Sequence, residues 1–176
     1  MTMHHIATST GSTAADFTNI PQTYTHLQVR ITGRSTNTGG SFSTIYAGFN
    51  GELFSGSSYA NHVVFGEGTS PSNNAQASQG QMNFGTGQFI WSAVTANVQG
   101  SLIIDILDYT NTSKNKTVKY LMGWDANGSG RAMLGSALWI NTSAINRIQF
   151  TPDSGFTTSS RIDLYGITSN PIATGA

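Results

Sequence analysis

Apolar residues in this chain come in short runs that alternate with polar ones, and over no window of ten do they recur at every third or fourth position. That pattern argues against amphipathic helices and calls for half-buried strands. The stretch "YTHLQVRITGR" (24–34) is the clearest case. Leu27, Val29 and Ile31 fall on one side of an extended chain, and Gln28, Arg30 and Thr32 on the other. Eight more segments carry the alternation or the β-branched and aromatic residues that suit strands. They are "FSTIYAGFNG", "YANHVVFGEG", "FGTGQFIWSAV", "GSLIIDILDYT", "NKTVKYLMGWD", "RAMLGSALWIN", "INRIQFTP" and "SRIDLYGI". Polar turn-formers separate them, among them "NTSKN", "DANGSG", "PDSGFTTS" and the hairpin signal Asn50-Gly51.

The expected fold is therefore all-β: an antiparallel β-sandwich, jelly-roll-like, of roughly eight to ten strands. A parallel sheet would need helical crossovers, and the sequence offers none. A single sandwich domain is expected over residues 17–170. The polar start, residues 1–16, is read as an arm ordered by a neighbour, and residues 171–176 as a C-terminal tail. The polar run "TSPSNNAQASQGQ" (69–81) is read as a surface loop.

Composition narrows the function classes. Of 176 residues, 8 are basic and 8 acidic, so only 9% are charged and the net charge is zero. That balance argues against nucleic-acid binding, where a basic face would be expected. Without cysteine it forms neither disulfides nor thiolate metal sites. No basic-then-apolar leader opens the sequence, and no run is long enough to span a bilayer. The expectation is a protein made in a cytoplasm and released by lysis, with no membrane partner.

Candidate chemistry begins with Asp105 and Asp108, set in the aliphatic run "LIIDILDY". Three residues apart on a strand, they face opposite ways and cannot line one site. Asp108 is expected to cap backbone amides at the strand end. Asp105, amid aliphatic neighbours, needs a partner such as Lys119, Arg147 or a hydroxyl, or a subunit interface. "DANGSGR" (125–131) begins like a calcium loop but lacks the acidic twelfth residue, and reads more plainly as a hairpin turn. The adjacent His4 and His5 are the only close histidine pair, and no nucleophile elbow, phosphate loop or dinucleotide fingerprint occurs. No catalytic residue, cofactor or metal site is expected. The sequons at Asn111, Asn115, Asn127 and Asn141 carry little weight in a chain so rich in Ser, Thr and Asn.

Read whole, the chain resembles small structural proteins of tailed bacteriophages. The resemblance rests on "FTNIPQTYTHLQVRITGR", "GSLIIDILDYTNTSKNKT", "GWDANGSGRAMLGSALWINTSAINRIQFTP" and "SRIDLYGI", and is weakest over residues 35–90. It implies a jelly-roll module on the outer surface of a virion, without enzymatic activity. The leading role it implies is a capsid decoration, or cement, protein. Such a protein would assemble as a homotrimer and contact the major capsid protein or other virion proteins. His4, His5, Ile6 and Asp105 are the candidate assembly contacts. The alternative is a tail or fibre adhesin binding host-surface carbohydrate, with Trp124, Asp125, Asn127 and the 66–80 stretch as its surface. Trp124, just before a turn, is expected to expose its ring. A glycan-cleaving enzyme on the same fold is a distant third, because no same-face carboxylate pair is visible.

Overall fold

The computed structural model describes residues 1–11, 13–39 and 43–169; the tail expected at 171–176 lies outside the described residues. Twelve strands run through it. In chain order they are β1 (Thr2–Thr10), β2 (Ala15–Phe17), β3 (His26–Gly33), β4 (Ser43–Phe49), β5 (Tyr59–Glu67) and β6 (Ser70–Gln79). The second half holds β7 (Met82–Phe89), β8 (Gly100–Ile106), β9 (Lys116–Asp125), β10 (Gly130–Trp139), β11 (Ile148–Pro152) and β12 (Arg161–Thr168).

They form two antiparallel sheets. The larger has eight strands in the order β1-β12-β3-β8-β9-β10-β5-β6; the smaller has four, β2-β11-β4-β7. The chain crosses between sheets in jelly-roll fashion. The small sheet matches one complete four-stranded half of that topology. In the other half, the run β3-(β8-β9-β10)-β5-β6 replaces one strand by a three-stranded meander, and β12 and β1 extend the edge.

Alternation decides what lies between the sheets. Leu27, Val29 and Ile31 of β3 are buried, as are Leu102, Ile104 and Ile106 of β8 and Val118, Tyr120, Met122 and Trp124 of β9. Trp139 stacks on Tyr59 with ring centroids 6.5 Å apart and meets Phe49 edge-on at 5.4 Å. Tyr120 lies across Gly135, its register partner on β10; a Cβ there would come within 2.2 Å of the ring. The glycine makes room for the aromatic.

Three strands depart from the sequence reading, which is why twelve appear where eight to ten were expected. Residues 1–16 are not an arm outside the domain: β1 pairs with β12 along its length, and β2 pairs with β11. Residues 69–81 are not a loop either, because β6 pairs with β5. Both β1 and β6 are edge strands, and β6 is exposed on both faces at nearly every residue. Backbone pairing, not burial, holds them, so no apolar alternation marks them in sequence.

Candidate functional site

The aspartates that suggested chemistry have ordinary partners. Asp105 is on the outer face of β8, where the Gln28 amide donates to its Oδ1 at 2.8 Å. The partner is thus an amide on the neighbouring strand, while Lys119 stands directly across from it on β9. Asp108 lies beyond the end of β8 in the left-handed region (φ 49°). Its carboxylate pairs with Lys114, and this hydrogen bond holds it below the usual carboxylate range. Its own N–H donates to His26 Nδ1 at 2.9 Å. The capping expected of the Asp108 side chain is not what it does; it holds the lysine of the following turn.

His4, His5 and Ile6 lie on β1. His4 packs on Tyr24 (centroids 5.6 Å apart), and Ile6 is the extra residue of a bulge, partly buried against the core. His5 belongs to a cluster: its Nε2 is 2.8 Å from Thr8 Oγ1, and Thr8 donates to Asp163 Oδ1. The other Asp163 oxygen accepts from Arg161 Nε at 2.7 Å. Hydroxyl, imidazole and carboxylate are all present, but in the wrong order for nucleophilic catalysis. In a hydrolytic triad the imidazole stands between the other two and takes the hydroxyl proton. Here Thr8 stands in the middle and donates its hydrogen bond to the carboxylate. The cluster fastens β1 to β12.

Asp163 is held below the ordinary carboxylate range, chiefly by the Arg161 hydrogen bond. A depressed carboxyl contributes stability above its unfolded pKa, and that contribution is lost as pH falls through the folded value. Asp163→Asn should therefore loosen β1 first. Its amides are expected to exchange about tenfold faster, the effect of losing a charge-assisted bond worth roughly 1–2 kcal/mol. Hydrogen exchange read residue by residue checks this; equal exchange in β1 and β8 would contradict it.

Trp124 corrects a second expectation. Its ring is buried, with 6% of the residue exposed, and Nε1 donates to the Gln88 carbonyl at 2.8 Å. The Arg131 guanidinium lies 5.7 Å from the ring centroid. It is no open platform for a sugar. Position 124 continues the inward series of Val118, Tyr120 and Met122, a signal stronger than the turn beside it. Asp125 and Asn127 belong to that turn. Asn127 (φ 63°) and Gly128 (φ 97°) both take the left-handed conformation that tight hairpins require. Asp125 Oδ1 accepts the Asn127 N–H at 2.7 Å.

Three buried cations escaped the sequence reading: Arg131, paired with Glu67 at 2.5 Å, and two that are caged by carbonyls. Arg34 donates to five carbonyls of the 91–98 loop, among them Ser92 (2.7 Å), Thr95 (2.9 Å) and Trp91 (3.1 Å). Lys116, with no exposed surface, donates to the carbonyls of Asn111, Lys114 and Thr142. Alternation could have found Lys116, which shares the inward face of Val118 and Tyr120. No comparable signal marks Arg34.

What remains outward is a surface for contact. Ile103, Leu121, Leu134 and Val64 stand opposite one another across β8, β9, β10 and β5. They form one row across the outer face of the large sheet, with 39%, 58%, 52% and 57% of each residue exposed. Beside them run Ser101, Gly123, Ala132 and Gly66, also in register. A groove of about 620 Å³ follows this small-residue row and reaches Asp125, Gln99 and the edge of Trp124. A second, of about 710 Å³, lies between Leu134, Val64 and the start of β6. Among the described residues no group of three or more His, Asp or Glu side chains could hold a metal ion.

No family model, curated protein or solved structure matches this chain. The resemblance to phage virion proteins thus rests on the sequence motifs alone.

Proposed function

We propose that the chain is a non-enzymatic virion structural protein, most plainly a capsid decoration protein that bridges neighbouring shell subunits. The observation that carries this reading is the state of the two sheet edges. β1 and β6, nine and ten residues long, close the eight-stranded sheet, and neither carries an Asp, Glu, Lys or Arg. Monomeric proteins shield such edges with charge, proline or bulges, because unpaired N–H and C=O groups recruit other strands; here Pro71 near the start of β6 and the bulge at Ile6 of β1 interrupt the edges only locally. Long neutral edges suit a protein whose work is joining neighbours by strand addition. Jelly rolls are common in viral shells, an analogy of fold that supports the reading without carrying it. The protein would act by adding contact area that exists only in the assembled shell, so its binding energy stabilises that state by mass action.

Purified particles of the encoding phage test this. Gel densitometry should count hundreds of copies per particle, and particles stripped of the protein should release DNA at a lower temperature than intact ones. Equal release temperatures would overturn the cement role. A second reading, a tail or fibre adhesin for host carbohydrate, draws on the polar lining of the groove along the small-residue row, Gln99, Ser101 and Asp125, and makes no use of the buried Trp124 ring. It predicts a few dozen copies or fewer and retention on a glycan array.

A further inference from the structure

We infer that the outer face of the eight-stranded sheet packs against the same face of a second copy of this chain. The two-fold axis would lie in the interface and cross the strands at Met122 and Met133. This does not depend on the virion reading; it follows from the register of the outward residues.

Four outward rows run across β8, β9, β10 and β5. The bulky row is Ile103, Leu121, Leu134 and Val64. On one side lies the small row of Ser101, Gly123, Ala132 and Gly66; on the other, Asp105, Lys119, Ser136 and His62. Beyond the small row, Asp125 stands opposite Gly130, and Gln99 precedes β8. Neighbouring rows are two residues apart, about 6.7 Å. The face is therefore a ridge beside a furrow of equal length.

A two-fold axis midway between ridge and furrow exchanges them. On β9 it maps each residue to the one equally far beyond Met122. Leu121 then seats over the partner's Gly123, Leu134 over the partner's Ala132, Ile103 over the partner's Ser101, and Val64 over the partner's Gly66. The same operation brings Lys119 over the partner's Asp125 and Asp105 over the partner's Gln99. Each contact occurs twice, as an isologous interface requires. Within the chain, among the described residues, none of Lys119, Asp105 and Asp125 takes part in a salt bridge. The charges are placed for a surface that meets itself.

The glycines support close approach from outside. A Cβ at Gly66 would meet nothing within 4 Å, and one at Gly123 would make only an ordinary contact, 3.4 Å from the Arg131 carbonyl. Neither has the positive φ that would demand glycine. Packing within the monomer does not require these residues, and glycine in a strand interior marks places where another surface comes near.

Area is sufficient. Six neighbouring strands, β3 to β6 in sheet order, at about 4.8 Å each and roughly eight residues long give about 800 Å² per copy, the size of a standard stable interface. A lipid surface would not need opposite charges placed symmetrically about the line between ridge and furrow. A sugar would want an exposed ring, and Trp124 is buried. This axis closes on two copies; a trimer would use other surfaces, such as the edges β1 and β6.

Sedimentation velocity of the full chain from about 1 to about 100 µM tests the pairing. The expected species is twice the 18.7 kDa chain mass. Gly66→Leu, whose Cβ has open space in the monomer, should fill the furrow and return it to monomer with an unchanged circular dichroism spectrum. Lys119→Glu should raise the dissociation constant at least about tenfold. Adding Asp125→Asn should recover most of that loss, since it removes the like-charge contact and keeps the oxygen that caps the turn. A native chain that stays monomeric overturns the inference. So does an oligomer indifferent to Gly66→Leu, or a Lys119→Glu effect that Asp125→Asn leaves unrelieved. None of these outcomes bears on copy number per particle, so the virion reading stands or falls separately.

Discussion

Replacing Lys116 by alanine is expected to lower the unfolding free energy by about 3 kcal/mol or more, one of the largest single-residue losses in this fold. The side chain enters from the first position of β9 and has no exposed surface. Its ammonium donates to Asn111 O at 2.6 Å, Thr142 O at 2.9 Å and Lys114 O at 3.1 Å. One cation thus ties the β8–β9 connection to the segment after β10. Burial pushes its pKa down, the sign expected when no carboxylate offsets desolvation. Alanine would strand three carbonyl oxygens and leave a cavity. Lys116→Met separates the two causes, because it keeps the stem and removes only the donor. Urea unfolding at neutral pH should place Lys116→Met between the native chain and Lys116→Ala. If the Lys116→Met variant were within about 0.5 kcal/mol of native, water would be satisfying the carbonyls and the cage argument would fail.

How much of this was legible in the sequence follows from what holds each element. Strands that bury one face announce themselves: Leu27, Val29 and Ile31 point inward and Gln28 and Arg30 outward, as alternation requires. All nine segments with apolar patterning became strands, β3 to β5 and β7 to β12. The three strands missed, β1, β2 and β6, owe their place to pairing or are too short to show a pattern. β6, "SPSNNAQASQ", has no apolar face because it has no core beneath it. The site failed differently. Trp124 was misplaced because a neighbouring turn outweighed the inward series it completes. The outward row of Ile103, Leu121, Leu134 and Val64 could not be seen at all, since it exists only once the register of four strands is known. Each of those residues alone is an ordinary exposed aliphatic. Their alignment is a property of the sheet.

Raising the pH above about 10 should unfold the protein cooperatively, and the buried tyrosines are the reason. Burial pushes the Tyr120 hydroxyl up to about 12, and burial likewise raises Tyr59, whose oxygen accepts the Phe49 N–H at 2.9 Å. Both residues lie in the core, at 2% and 0% exposed. A group whose folded pKa is raised contributes its full stability below the unfolded value, near 10 for tyrosine, and loses it as pH climbs toward the folded value. For Tyr120 a displacement of about two units corresponds to about 2 to 3 kcal/mol lost between pH 10 and 12. Tyr59 adds a loss of the same sign. Against a typical total stability of about 5 to 15 kcal/mol, the two together are decisive. Urea midpoints taken at intervals from about pH 8 upward should be flat at first and fall steeply past about 10, with tyrosinate absorbance rising in the same transition. Tyr120→Phe removes one ionisable group from the core, so its midpoints should fall less steeply over the same range. A variant whose alkaline slope matched the native one would show that Tyr120 ionises without leaving the sandwich, and that the core around Gly135 and Phe84 admits water.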